Sequence, residues 1–186
     1  ATDFSERAAA AATVAAKLAL HRTEPLQLLH VCTDRRPASV AARHRRLERE
    51  AGRLRELGTA VETRLLEAPG PAEALLAQIA AEAPGLVVLA SAIKAPLDRW
   101  ALGSFGERIA EASPVPTLIV RDPQAFEDWD LTKARLRVLA ALDLSATSDV
   151  VLRWIKQVGR AGPCDVVPCY VNFRAPTPAD GDAPGR

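Results

Sequence analysis

The chain has 186 residues, 48% hydrophobic and 25% charged, with 24 basic side chains against 23 acidic ones. That length suits one domain of roughly 100 to 200 residues with part of a second, and a core of useful size. A net charge of +1 gives no broad field for nucleic-acid phosphates or anionic lipid, and the apolar runs 8–16 and 86–92 fall far short of the roughly 20 residues of a membrane helix. No nucleic acid and no membrane partner is therefore expected, and any anion site must be local.

Ser5 is placed to cap an Ala-rich helix running to about residue 20, with Glu6 in its first turn. Residues 26–31 (LQLLHV) are short and apolar between Pro25 and Thr33-Asp34, which reads as a strand buried on both faces. From 38 to 57 the less polar positions Val40, His44, Leu47, Ala51, Leu54 and Leu57 recur every three or four residues among Arg and Glu. This is the period of an amphipathic helix, closed by Gly58. Next come an edge strand over 61–66, a helix over 71–81 with Pro71 at its first position, and a strand over 86–90 (LVVLA) after Pro84-Gly85. A helix over 102–112 and a strand over 115–120 follow. Such alternation argues for a parallel sheet with helices on both faces. The polar stretch 121–133 reads as a linker, 136–142 as a buried strand, Ser145 or Ser148 as the cap of a helix to about 158, and 166–171 as a further strand. The tail 174–186 is rich in Pro, Gly, Ala and Asp and is expected to be loose.

Ala1-Thr2-Asp3-Phe4-Ser5 matches Ala141-Leu142-Asp143-Leu144-Ser145 at an offset of 140 residues, and the same offset carries Leu28-Leu29-His30-Val31 onto Pro168-Cys169-Tyr170-Val171. The chain thus reads as two copies of one unit: residues 1–123, a linker over 124–134, and the opening βαβ of a second unit over 135–173. In the second copy a strand precedes the Asp-x-Ser turn, whereas the first copy starts almost at that turn, and methionine is absent, the initiator included. A missing central strand would leave buried backbone groups unpaired at about 1 to 3 kcal/mol each. Residues ahead of Ala1 are expected to supply it, or another strand takes its place; 136–142, from this chain or a partner's, is the natural candidate for such a swap.

Ligands of open α/β sheets bind at the carboxyl ends of the strands. The turns that matter are then 3–5, 31–34, 90–103 and 143–145. An Asp just after a first strand accepts hydrogen bonds from a ribose or an amine, or orients the turn itself; Ser5 and Ser145 are also explained as caps. Gly103-Ser104, with Gly106 close behind, opens a helix, where it serves either as an anion cradle or as a packing glycine followed by a cap. Lys94 in the preceding loop reads as solvated. The run 43–46 (RHRR) is interleaved downstream with Glu48, Glu50 and Glu56, so a salt-bridged exposed helix face is favoured over a nucleic-acid patch. His30, Cys32, Cys164 and Cys169 match no zinc spacing; the three cysteines read as buried structural thiols of a cytoplasmic protein. No Ser-His-Asp order, carboxylate pair or Walker-type Gly-Lys-Ser run is present, so no metal site and no catalytic residue is assigned.

Taken in order, Asp3-Phe4-Ser5, Leu28-Leu29-His30-Val31, Leu86-Val87-Val88-Leu89-Ala90, the segment 102–109 (LGSFGERI) and the segment 114–121 (PVPTLIVR) resemble the universal stress protein family. The resemblance implies an open, doubly wound parallel five-stranded sheet of order 3-2-1-4-5, the adenine nucleotide alpha hydrolase-like arrangement, with two such domains packed together. In one branch it implies ATP or AMP in the crevice, held by a Gly-x-x-Gly stretch and, nine residues later, Gly-Ser or Gly-Thr; aligned on Gly103-Ser104, the first two glycines fall at Ala90 and Ile93. A branched side chain where backbone should approach phosphate is expected to block or reshape the cradle. The resemblance carries Asp3 and Val31 over as ribose and adenine contacts, and Ala90, Gly103 and Ser104 as the phosphate side. The expectation is a cytoplasmic stress-response protein of regulatory or binding type, not an enzyme, its first-half nucleotide site degenerate, pairing as a homodimer or between tandem domains. The alternatives are an ATP- or AMP-binding protein with slow ATPase activity and a ligand-free dimeric scaffold.

Overall fold

The computed structural model describes residues 1–91, 104–129 and 134–170. Helices and strands alternate as α1 (Glu6–Arg22), β1 (Leu26–Cys32), α2 (Pro37–Arg55), β2 (Val61–Glu67), α3 (Pro71–Glu82), β3 (Val87–Ala90), α4 (Ser104–Ala112), β4 (Thr117–Val120), α5 (Gln124–Glu127), β5 (Leu136–Leu142), α6 (Ala146–Ala161) and β6 (Cys164–Tyr170). The α/β alternation read from the sequence is therefore present. The ends follow local chemistry. Ser5 accepts the Ala8 N–H and so satisfies one orphan donor of α1, while Pro37 and Pro71 open α2 and α3 where no N–H is needed. Helix α2 stops at Arg55, and the chain turns through Gly58 at φ +89, a backbone state that favours glycine.

The strands form three parallel pairs, β1 with β2, β3 with β4 and β5 with β6. Leu26 lies opposite Val61, Val87 opposite Thr117, and Leu136 opposite Cys164. Helices α1 and α2 pack on one face of β1–β2 through Ala12, Ala16, Leu47, Ala51 and Leu54 against Leu28 and Val61. On the opposite face, Leu75 and Ile79 of α3 and Ile109 of α4 meet Leu29, Val87 and Leu89. Val61–Glu67 pairs only with β1 among the described strands, in keeping with its reading as an edge.

Two expectations need correcting. The stretch 121–133 is not merely a linker: within it α5 forms and Trp129 is buried, its Nε1–H donating to the Pro163 carbonyl at 3.0 Å. Around Trp129 gather Ala11, Val14 and Leu18 of α1, Val120 of β4, Leu136 of β5 and Val158 of α6, so this one ring joins the two halves of the chain. Of the three cysteines only Cys32 is buried, whereas Cys164 and Cys169 are half-buried because β6 pairs on one edge alone among the described residues. The tail 171–186 lies outside the described residues.

Candidate functional site

Asp3 follows directly on an extended Ala1-Thr2 segment. Its Oδ1 accepts the Ser5 N–H at 2.9 Å, and Phe4 between them takes φ +66, a left-handed state costing an ordinary side chain roughly 1 to 2 kcal/mol. The Phe4 N–H is taken up by Thr2 Oγ1 at 3.0 Å, so the strained turn loses no hydrogen bond. Asp143 makes the same turn 140 residues later: Leu144 stands at φ +63, and Oδ1 accepts the Ser145 N–H at 2.9 Å. Here Ser148 replaces Thr2 as the partner of the strained residue, its Oγ accepting the Leu144 N–H at 3.0 Å.

The register agrees as well. Leu26 N–H donates to Ala60 O where Leu26 lies opposite Val61, so the Thr2 N–H donating to Leu29 O at 2.8 Å sets Thr2 opposite His30. In the second half Leu142 lies opposite Tyr170, which is the same pairing displaced by 140. Turn and register thus repeat together.

These bonds also place the site. Thr2 bonds to β1 and the Ala1 amine to Val88 O of β3 at 3.0 Å, so the Asp3 turn emerges between the carboxyl ends of the two strands. There it meets Val31 and Ala90, both half-buried at the ends of β1 and β3. Three of the five expected site residues are brought together. Ser104 stands at the first position of α4, while Gly103, Ile93 and Lys94 lie outside the described residues. Next to Ala90, Ser91 is buried, and its Oγ has no hydrogen-bond partner among the described residues.

Electrostatics at the two turns differ in degree. Burial pushes the Asp3 carboxyl up, but hydrogen bonds from the Ser5 side chain and backbone outweigh it and hold the pKa below the ordinary value. At Asp143 the hydroxyl and N–H of Ser145, with the Ser148 hydroxyl, hold it down to about 2. A carboxylate favoured in the folded state contributes stability above its unfolded pKa of about 3.9 and loses it as pH falls through the folded value. An NMR titration of the Asp143 carboxyl carbon is expected to give a midpoint near 2; a midpoint near 4 contradicts the turn geometry.

Sequence reasoning missed the neighbours of Asp3. The Phe4 ring lies 4.3 Å from the His30 imidazole, and the Arg46 guanidinium sits 4.8 Å over the Phe4 ring while donating to the Phe4 carbonyl at 2.9 Å. His30 Nδ1 is 2.8 Å from the Thr2 carbonyl; a carbonyl only accepts, so Nδ1 carries the proton. Burial lowers the His30 pKa, the Thr2 hydrogen bond opposes this, and Arg43 and Arg46 add to the lowering. The expected salt-bridged face of α2 is present a turn or two further on, as Arg53–Glu50 at 2.7 Å and Arg55–Glu48 at 3.4 Å. Arg46 instead closes one wall beside the Asp3 turn.

Among the described residues no helix is long and apolar enough to cross a membrane. No curated protein matches the chain. Among solved structures, the universal stress protein from Archaeoglobus fulgidus is similar at a TM-score of 0.58 and 17% identity, over 65% of this chain and 94% of that one. Its complex with dAMP gives 0.55 and 16%, over 65% and 93%. A universal stress protein in complex with cAMP gives 0.54 and 23%, over 64% of this chain and 91% of that one. A putative universal stress protein from Pseudomonas aeruginosa UCBPP-PA14 gives 0.61 and 20%; the match covers 89% of this chain but only 57% of that longer one. At these identities the likenesses establish the α/β fold. The family model described as the universal stress protein family matches residues 1–121, well over half of the sequence, and the chain belongs to that family.

Proposed function

We propose that the chain is a regulatory binding protein of the stress response that holds an adenine nucleotide, ATP or AMP, weakly at the carboxyl ends of β1 and β3. The observation that carries this reading is the convergence of the Asp3 turn, Val31 and Ala90 there, with the unpartnered Ser91 hydroxyl beside them. A carboxylate held in its ionised form accepts hydrogen bonds from ribose hydroxyls, and Val31 offers an apolar contact to a base. Relatives solved with dAMP and cAMP make a nucleotide the natural ligand class. Weakness follows from Ala90 and Ile93 standing where the nucleotide-binding branch carries glycines.

In this reading residues 1–123 form a five-stranded parallel sheet of order 3-2-1-4-5, residues 135–173 open a second such unit, and the two pair within the chain or as a homodimer. No side chain at the site is placed as a base to activate water, so binding without hydrolysis is proposed. Calorimetric titration with AMP and ATP, followed by a phosphate-release assay, tests it. Saturable binding without turnover is expected, and Ile93→Gly should tighten it about tenfold, equivalent to about 1.4 kcal/mol. Turnover would replace the regulator by a slow ATPase. No saturable heat from either protein would leave the ligand-free scaffold.

A further inference from the structure

Between β1 and β3 runs a lane with no strand in it. Parallel strands turn the N–H and C=O of alternate residues to alternate sides. Leu26 bonds to Ala60 of β2's side, so Gln27, Leu29 and Val31 face the lane; Val87 bonds to Pro116 and Ser91 to Val120, so Leu86, Val88 and Ala90 face it from the other edge. Across its carboxyl end lie Ala1 and Thr2, bonded to Val88 O and Leu29 O as a strand between the two would be. The rest of the lane is a cavity of about 470 Å³. It is roofed by Ala11, Ala12 and Ala15 of α1, floored by Leu75 and Ile79 of α3, and bounded at its far end by Trp154 of α6.

We propose that this lane is a strand-acceptor site for an extended apolar segment of this chain on the amino side of Ala1, running parallel to β1 and β3 and joined to Ala1 by an ordinary peptide bond. The inference rests on the five-stranded layout proposed above and is independent of nucleotide binding. The two flanking edges offer backbone donors and acceptors at strand spacing, and the roof and floor offer apolar surface, which is what a strand needs and a lipid tail does not use. Burial also lowers the pKa of the Ala1 amine to about 6, and an amide N–H at that place carries no charge to desolvate. A strand from a second copy fits less well: β5 is followed by the Asp143 turn and α6, and α1 already fills the place that helix would take.

The repeat supplies the test sequence. Because Ala1 corresponds to Ala141, the five residues of Leu136–Ala140 (Leu-Arg-Val-Leu-Ala), fused directly ahead of Ala1, enter the lane in register. The extended chain is compared with the unextended one and with an extension of equal length carrying proline at alternate positions, which cannot donate to the edges. The filled lane should raise Tm by roughly 10 °C. It should slow amide exchange at Leu29 and Val88 and leave the chain's mass in solution unchanged, whereas the proline extension does none of this. Equal Tm for all three proteins overturns the proposal. So does an unextended dimer whose Leu29 and Val88 amides are already protected, which would assign the lane to a second copy.

Discussion

Trp129→Ala is expected to destabilise the protein by about 3 to 5 kcal/mol, the range for losing a large buried aromatic side chain. Its ring is 5% exposed and touches elements from both halves, α1 and β4 on one side and β5 and α6 on the other. Gly162 shows how closely the ring is held, because a Cβ added there would come within 2.6 Å of it. The Pro163 carbonyl also loses its partner, the Trp129 N–H. The loss should fall first on β5–α6–β6. In urea unfolding, a probe in that unit is expected to move at lower denaturant than a probe in β1–β2. Coincident transitions with a loss under about 1 kcal/mol would show that the ring does not join the halves.

Leu47→Ala carries the second large effect, about 3 to 4 kcal/mol. Helix α2 has 19 residues, yet its buried positions are Leu47, Ala51 and Leu54 alone, so its docking rests on very little apolar surface. Leu47 is fully buried against the cluster that includes Leu28, Ala16 and Val61. Surface ion pairs such as Arg55–Glu48 cannot offset the loss, since exposed pairs contribute about 0 to 1 kcal/mol. The two sites belong to separate clusters, so the double variant should lose the sum of the single losses within about 0.5 kcal/mol. Thermal or urea unfolding of the three variants checks both the size and the additivity.

Much of this architecture was legible because it is written in periods and repeats. The three-and-four spacing of Leu47, Ala51 and Leu54 is also the list of buried α2 residues, and β5 falls on 136–142 as read. The offset that relates Asp3 to Asp143 reappears as matching turns and as Thr2 opposite His30 against Leu142 opposite Tyr170. Trp129 was not legible, because its polar neighbours give no period and its burial depends on contacts with α1 and α6. The same holds for Arg46: a charged residue in a basic run gives no sign that its guanidinium will lie on Phe4. Only knowing how α2 is rotated against the Asp3 turn brings them together. Of the site itself, the sequence located Asp3, Val31 and Ala90, while His30 and Ser91 required the strand register to be seen.

The central claim is that nucleotide binds at the carboxyl ends of β1 and β3, and amide shift mapping tests it most directly. Isotopically labelled protein titrated with AMP should show shifts concentrated at Asp3, Phe4, Ser5, Val31, Cys32, Ala90 and Ser91, with the amides of Leu26 and Val87 at the opposite ends unmoved. Shifts gathered at those opposite ends, or spread evenly over the chain at saturation, would contradict the account.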